Sequence, residues 1–448
     1  MPPPVPEERR RPGTVGRIYA NLSRLLAGKA MAGLLSLAYL AVAARALGPR
    51  DYGVLVLVHG YVMAVGGIVE FPGWHAIVRY GAQAIETGDR VRLARLLRFA
   101  GLVEGVAGLV AVAAAAVLAP VVGPHLGWPP EALAFAGPYS FAVLATVRAT
   151  PAGYLQLAGR FDILGFHNIV APVVRLLGAL AVVALGAGLR GFLIAWLAAA
   201  LAEFATLWLL GGWVASRKIG GGALLGGVRG VAAENPGLWR FMWAANADVT
   251  FGELSARVAP LIVGWILGPT ATGLFAVAQR ASVVISQPGQ ILGQAAYAEF
   301  ARLVAAGQRG VRLRQALWRS IAYAFLAAAP VLLLVALFGG HLATLLGGRA
   351  FVAAGGLMFW LALARAILLM APPTGAALTA LGRPGLSLQA NLIAGLGTLA
   401  LLPLLLQSLG LRGAGAQALV QALTAAALLS AFFWRQSRDT VVLKPQTR

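Results

Sequence analysis

Long apolar stretches separated by short polar segments run along almost the whole chain. Each is near the roughly 20 residues that an α-helix needs to cross the hydrocarbon core of a bilayer. Stretches such as 102–122 and 393–406 stay mostly apolar, whereas a transmembrane β-barrel would alternate apolar and polar residues in segments of about 10. The pattern therefore predicts about twelve transmembrane helices, which begin near residues 27, 53, 99, 132, 164, 191, 241, 271, 317, 352, 386 and 414.

The two halves of the chain repeat the same landmarks at offsets between 219 and 223. Leu-Gly-Pro at 47–49 returns at 267–269, and Gly-Leu-Arg-Gly at 188–191 returns at 410–413. Two further matches lie between them, Gly88 and Arg90 with Gly307 and Arg309, and Gly159-Arg160 with Gly382-Arg383. Six predicted helices separate equivalent positions, so both halves enter the membrane with the same orientation, as in the parallel repeats of many transporters.

The predicted fold is an all-α integral membrane protein with two parallel-repeat six-helix lobes around a central cavity. The repeat also divides the chain into five segments. They are a basic disordered N-terminal arm (1–23), an N-lobe with helices 1–6 (24–214), a glycine-rich cytoplasmic interlobe linker (215–239), a C-lobe with helices 7–12 (240–436) and a cytoplasmic tail (437–448).

Composition agrees with the membrane prediction. Of the 448 residues, 59% are hydrophobic and only 11% are charged, and the mean hydropathy is +0.80, values unlike those of a soluble globular protein. The chain has no cysteine, which excludes disulfides, thiolate metal sites and a cysteine nucleophile.

The positions of Lys and Arg predict the orientation, because basic residues in short loops are retained on the cytoplasmic side. If both termini are cytoplasmic, 26 of the 36 Lys and Arg residues lie on that side, five lie on the opposite side and five lie inside predicted helices. The net charge of +21 is thus spread between apolar helices, which argues against a nucleic-acid partner. We predict a multi-pass protein with both termini in the cytoplasm.

The most specific motif lies in the first helical hairpin. Ala-Arg-Ala-Leu-Gly-Pro at 44–49 is followed by Tyr52-Gly53 and by Val-Arg-Tyr-Gly at 78–81. Together with a weaker match from 267 to 307, these residues resemble the polysaccharide-export flippases of the multidrug and oligosaccharidyl-lipid exporter superfamily over nearly the whole chain. The sequence departs from that family at Ala298, where proline is expected, and at Pro72 beside its acidic-glycine pattern.

This resemblance implies two lobes around a water-filled lumen in the bacterial cytoplasmic (inner) membrane. It implies a cargo of polyprenyl-diphosphate-linked oligosaccharide, moved to the outer leaflet for surface polysaccharide such as lipopolysaccharide O-antigen, capsule or exopolysaccharide. The expected partners are that substrate and membrane lipid. We expect no cofactor, no metal and no enzymatic activity.

Arginines inside predicted helices are the candidate substrate ligands. An arginine at the bilayer centre costs roughly 2.5 to 3.5 kcal/mol on insertion scales, so it needs water, a counter-ion or an anionic ligand. Its planar guanidinium can donate two parallel hydrogen bonds to the oxygens of a phosphate. The leading candidates are Arg257 and Arg280, followed by Lys29 and Arg24 at the inner mouth of helix 1 and by Arg148 and Arg365.

Each candidate also has a structural interpretation. Glu253 lies four residues before Arg257, where an ion pair would neutralise both. Arg148, Arg175 and Arg365 could each instead pair with Glu104 or Glu203 between neighbouring helices. Asp248, Glu253 and Glu70 are candidates for a proton or sodium site that couples transport. Their alternative role is to balance arginine charge.

Two other functions remain open. A drug or cation antiporter of the same superfamily would favour acidic cavity residues, and the excess of arginine, 33 of the 36 basic residues, argues against it. An integral-membrane glycan polymerase or ligase would be expected to carry catalytic residues in a large outward loop, and the predicted outward loops are short. The five histidines show no metal-ligand spacing, and no phosphate-binding glycine loop is present in the sequence.

Overall fold

The computed structural model describes residues 14–69, 73–221 and 226–437, with side chains described from Gly28 onward except in 244–254 and at several positions between 284 and 298. All regular elements in these ranges are helical, as predicted. In chain order they are α1 (Thr14–Val69), α2 (Trp74–Glu86), α3 (Arg90–His125), α4 (Pro130–Tyr139), α5 (Ala149–Leu157), α6 (Phe161–Leu185), α7 (Gly188–Ile219), α8 (Val231–Glu234), α9 (Leu238–Ser282), α10 (Gln287–Ala305), α11 (Val311–Gly347), α12 (Ala354–Ile367), α13 (Ala371–Ala380), α14 (Pro384–Leu399), α15 (Leu402–Leu409) and α16 (Arg412–Gln436).

Within the described ranges, nine helical segments are long and apolar enough to cross a membrane, and α14 with α15, bent by 43°, forms a tenth. Short 3₁₀ segments join α4 to α5, α9 to α10 and α12 to α13. Two of the long segments are hairpins rather than single helices, because α1 is divided at Gly48 and α9 at Gly268. If each arm of the two hairpins counts as one crossing, the ten segments make twelve crossings, the predicted number.

The Leu-Gly-Pro sequences make these two hairpins. Gly48 has φ 70° and Gly268 has φ 80°, a region that favours glycine because it has no Cβ. The proline that follows each one has no N–H to lose and a φ suited to the first position of the next helix. One helix therefore ends and another begins within two residues, at equivalent places in both lobes.

The parallel repeat is also visible in the turns at the other end of the molecule. Gly159 and Gly382 each end a helix with positive φ. In both turns the N–H group of the residue after the glycine donates to the carbonyl oxygen five residues earlier. Arg160 donates to Leu155 at 2.8 Å, and Arg383 donates to Leu378 at 2.9 Å. This is the Schellman motif. The same pattern closes the turns at Gly88 and Gly307.

The lobes meet where the two hairpins turn. A Cβ on Gly53 would overlap the carbonyl oxygen of Pro269, and a Cβ on Gly273 would overlap the carbonyl oxygen of Pro49. These reciprocal contacts follow from the internal repeat, because Gly53 and Gly273 are equivalent residues. We call this part of the molecule the hairpin end, and the part with the basic turns the basic end.

Three side-chain contacts reinforce the hairpin end. Arg45 donates a hydrogen bond to the carbonyl oxygen of Leu345 at 2.5 Å. The rings of Tyr52 and Phe351 meet edge to face at 6.0 Å, and the rings of His125 and Trp265 stack at 4.7 Å. The lobes are therefore closed against each other at this end.

The helix boundaries correct one prediction. The predicted disordered arm extends to residue 23, but α1 already begins at Thr14. Apolar residues at Val15, Ile18, Leu22 and Leu25 follow the three-to-four-residue period of a helix, a signal that the preceding prolines and arginines obscured. Residues 1–13 and the tail from 438 lie outside the described residues. In the predicted linker, α7 continues to Ile219 and the short α8 precedes α9.

Candidate functional site

A cavity of about 490 Å³ lies inside the C-lobe, between α9, α12, α14 and α16. Its polar lining consists of uncharged side chains and one cation. The uncharged ones are Ser255, Gln279, Ser282, Asn391, Gln417 and Gln421. Carboxamides and hydroxyls both donate and accept hydrogen bonds, which is what the hydroxyl groups of a sugar need. None of the described lining residues is acidic.

The cation is Arg365, one of the arginines predicted from the sequence. It lies on the last turns of α12, before the 3₁₀ segment that joins α12 to α13. It makes no ion pair or hydrogen bond with the described part of the chain, although its side chain is partly buried. A partly buried guanidinium without a counter-ion is costly, so the cavity is electrostatically suited to an anionic group.

The N-lobe contains a different arrangement at the equivalent place. Arg175 on α6 donates to the Tyr39 hydroxyl at 3.2 Å and lies 3.1 Å from His59 Nε2. His59 Nδ1 is in turn 2.9 Å from the Tyr139 hydroxyl. The guanidinium also lies 5.8 Å from the centre of the Trp196 ring. We call Arg175, Tyr39, His59, Tyr139 and Trp196 the N-lobe cluster.

The repeat offset relates the two places residue by residue. Tyr39 corresponds to Ala259, His59 to Gln279 and Trp196 to Ala418, and all three C-lobe residues line the cavity. Large aromatic side chains thus fill the N-lobe position, while alanines leave the C-lobe position empty. The asymmetry identifies the C-lobe cavity as the better candidate for a ligand site.

Replacement of Arg175 by methionine is expected to destabilise the protein. The substitution removes hydrogen bonds from a charged donor, each contributing about 1.5 to 3 kcal/mol, and leaves the buried Tyr39 hydroxyl and the Nε2 atom of the partly buried His59 without this partner. We expect a loss of about 3 kcal/mol, seen as a lower thermal unfolding midpoint in detergent. The matched control is Arg365→Met, which should leave the midpoint almost unchanged because Arg365 lines a cavity. Equal midpoints for Arg175→Met and wild type would contradict this structural role.

The leading sequence candidates lie between the lobes rather than in the cavity. Arg257 on α9 donates to the carbonyl oxygen of Met63 at 3.2 Å and packs against Gly67, both on the second arm of α1. Arg280 is exposed on α9, within electrostatic range of Tyr39 in the opposite lobe. Lys29 is exposed on α1. Arg257 and Arg280 both face the opposite lobe, and neither lines the C-lobe cavity.

Glu203 and Glu104, the two acids that the sequence offered as partners for arginine, have structural partners in the N-lobe. Glu203 lies 3.8 Å from Arg148, the ion pair that the sequence allowed, and 3.9 Å from His167. Glu104 accepts from the backbone N–H groups of Ala149 and Thr150 at 2.5 and 2.8 Å. It therefore caps α5, where the fourth crossing is broken.

Four predicted residues cannot be placed in this way. Glu70 lies outside the described residues, as do the side chains of Asp248, Glu253 and Arg24. The coupling role of the three acids remains a prediction.

The C-lobe carboxamides and the N-lobe cluster were not predicted. Gln279, Gln417 and Gln421 are three of several uncharged polar residues in apolar helices, so their type did not distinguish them. The internal repeat could have predicted the cavity. When the two halves are aligned at their glycines, Tyr39 and Trp196 of the N-lobe pair with alanines in the C-lobe.

Comparison with known proteins identifies the family. The family model described as "Polysaccharide biosynthesis protein" matches residues 42–354. The chain is also 26% identical over 295 residues to "Inner membrane protein YghQ" of Escherichia coli (strain K12), a match that covers 65% of this chain and 82% of that protein.

Solved structures show the same fold at low sequence identity. An inward-facing multidrug resistance MATE family transporter of the MOP superfamily superposes with a TM-score of 0.73 at 15% identity, covering 94% of this chain and 100% of that one. An outward-facing MATE family transporter gives 0.55 at 15% identity, covering 94% and 96%. A point mutant of the Vibrio cholerae MATE transporter VcmN gives 0.61 at 15% identity, covering 95% and 97%.

Proposed function

Because this chain belongs to the polysaccharide biosynthesis protein family and has the fold of MATE transporters, we propose that it flips a lipid-linked oligosaccharide across the membrane. The cargo is a polyprenyl-diphosphate-linked oligosaccharide that moves from the cytoplasmic to the outer leaflet for surface polysaccharide synthesis. The similarity to an Escherichia coli inner membrane protein supports a location in the bacterial inner membrane.

The observation that carries this proposal is Arg365, which has no ion-pair or hydrogen-bond partner among the described residues and lies in a cavity lined by carboxamides and hydroxyls. A sugar offers hydroxyls to the uncharged lining, and an acidic sugar or phosphate offers an anion to the guanidinium. A cation exported by a multidrug transporter would be repelled there. The antiporter alternative would call for acids in the cavity, and the described lining has none.

Transport proceeds by alternating access between the two lobes. The lobes are closed at the hairpin end through Gly53 and Gly273, and the superposition is better on an inward-facing than on an outward-facing transporter. With the basic end in the cytoplasm, as the charge distribution predicts, this conformation would accept cargo from the cytoplasmic leaflet. Arg280 and Lys29 would then attract the diphosphate, and Arg257 would lie between the lobes.

Charge reversal by Arg280→Glu is expected to reduce export strongly, because a carboxylate repels a diphosphate that an arginine would bind. Surface polysaccharide measured on whole cells should fall about tenfold or more, since one charge-assisted contact contributes about 1.5 to 3 kcal/mol. The matched control is Arg302→Glu at an exposed site on α10. Normal surface polysaccharide in Arg280→Glu, at wild-type protein level, would remove Arg280 from the substrate path.

A further inference from the structure

A second cavity of about 500 Å³ opens on the outer surface of the N-lobe, away from the C-lobe cavity. It lies between α3, α5 and α7, and its lining is mostly apolar, with Leu97, Leu102 and Trp208 among its walls. Leu102 is 55% exposed, so this surface faces the surrounding lipid when the protein lies in a membrane. We call this cavity the N-lobe groove.

Glycines keep the groove open. A Cβ on Gly212 would meet no atom within 4 Å, and Gly101 also has room for a Cβ, with Trp208 as its nearest neighbour at 3.4 Å. The width is therefore a consequence of missing side chains along α3 and α7. A groove of this kind on a lipid-facing surface has the shape and polarity for a hydrocarbon chain.

The groove also contains one partly buried arginine whose buried N–H groups have no partner among the described residues. Arg98 lines it near the start of α3, and its Nε and Nη1 atoms are buried and make no hydrogen bond with the residues that the structure describes. Two neighbouring arginines on α3 are satisfied, because Arg95 pairs with Glu234 and Arg92 donates to Asn235 at 2.9 Å. Buried guanidinium N–H groups without an acceptor are costly, so an anionic group beside Arg98 would be stabilised.

An arginine at the basic end of the C-lobe has protein partners instead. At the same basic end, Arg314 donates to Ser437 Oγ at 2.9 Å and to the Ser437 carbonyl oxygen at 3.2 Å, and lies 4.2 Å from the Trp434 ring centre. Arg98 has no equivalent of Ser437 among the described residues.

We propose that the N-lobe groove binds one anionic phospholipid, with its phosphate on Arg98 and an acyl chain between α3 and α7. The basic end lies at the surface of the membrane, where a lipid phosphate is found, and anionic lipids attract basic residues there. The apolar walls suit an acyl chain, and the unpaired N–H groups suit the phosphate oxygens. The groove shares no lining residue with the C-lobe cavity, so this proposal does not depend on what the protein transports.

Native mass spectrometry of the purified full-length chain tests the proposal. The chain is titrated with dioleoylphosphatidylglycerol, with dioleoylphosphatidylcholine and with inorganic phosphate. Wild type is expected to retain one phosphatidylglycerol with about tenfold preference over phosphatidylcholine, because the choline cation of phosphatidylcholine offsets the phosphate charge beside Arg98 and weakens a contact that contributes about 1.5 kcal/mol or more. Arg98→Gln should lose this preference. Gly212→Leu should weaken binding about tenfold, because its side chain occupies the groove without a clash.

Two variants serve as matched controls. Arg217→Gln removes an exposed arginine on α7 that lies beside Trp213, and Gly105→Leu adds a side chain on α3 where a Cβ also has open space but lies outside the groove. Both should bind like wild type. The proposal is overturned if wild type retains no phosphatidylglycerol, or if Arg98→Gln and Gly212→Leu both retain it as wild type does. It is also overturned if phosphatidylcholine binds equally well or if inorganic phosphate displaces the lipid.

Discussion

Gly53→Leu is expected to abolish export while leaving the protein folded and inserted. In the closed hairpin end, any side chain at Gly53 overlaps the backbone carbonyl of Pro269, and a backbone atom cannot move aside as a flexible side chain can. Overpacking of this kind costs about 1 to 3 kcal/mol or more, and this cost falls only on the closed state. The equilibrium should therefore shift about 5- to 160-fold towards the open state. Gly273→Leu should act in the same way, because it contacts Pro49 reciprocally.

Cysteine cross-linking measures this shift directly, since the chain has no cysteine of its own. Arg45→Cys with Leu345→Cys places one thiol on each lobe at a contact of the closed hairpin end. A bifunctional maleimide should cross-link the two cysteines readily when residue 53 is glycine and much more slowly in the Gly53→Leu variant. Gly33→Leu on the first arm of α1, where a Cβ meets no atom within 4 Å, is the control. Wild-type cross-linking and export in both glycine variants would refute the role of this contact.

Arg365→Gln is expected to reduce export about 10- to 100-fold without lowering stability. The substitution keeps a hydrogen-bonding side chain in the C-lobe cavity but removes its one described cation, and charge-assisted hydrogen bonds contribute about 1.5 to 3 kcal/mol. Lipid-linked sugar should then accumulate on the cytoplasmic face of the membrane. Arg365→Lys should retain part of the activity, because the charge remains but the bidentate fork is lost.

The exposed Arg302 on α10 provides the comparison, since Arg302→Gln removes the same charge outside the cavity. It should export normally. If Arg365→Gln also exports normally, the C-lobe cavity is not part of the substrate path. If it exports poorly but its unfolding midpoint is also lowered, Arg365 has a structural role like that of Arg175.

Much of the fold could be predicted because it depends on local sequence. The lengths of the apolar stretches predicted the number of membrane crossings. Glycines recur at 48, 159, 268 and 382 because the turns there require a positive φ. The 3₁₀ breaks within the fourth and tenth crossings were not predicted. They depend on tertiary partners, such as the capping of α5 by Glu104, which local periodicity does not reveal.

The candidate site was only partly predictable. The cost of arginine in a membrane drew attention to Arg365 and Arg257, but it gave no means of telling a paired arginine from an unpaired one. Arg148 lies 3.8 Å from Glu203, whereas Arg365 has no such partner among the described residues. The cavity itself results from alanines at 259 and 418, and a missing side chain is visible in a sequence only against an equivalent position that has one.

The most direct test of the flippase proposal is the leaflet distribution of polyprenyl-linked sugars after deletion of the gene, measured by mass spectrometry with a membrane-impermeant label. We expect lipid-linked oligosaccharide to accumulate on the cytoplasmic face and to return to the outer face when the wild-type gene is restored. Accumulation of unpolymerised units on the outer face would instead indicate a polymerase or ligase. Unchanged lipid-linked sugars with altered drug sensitivity would contradict the proposal in favour of a drug antiporter.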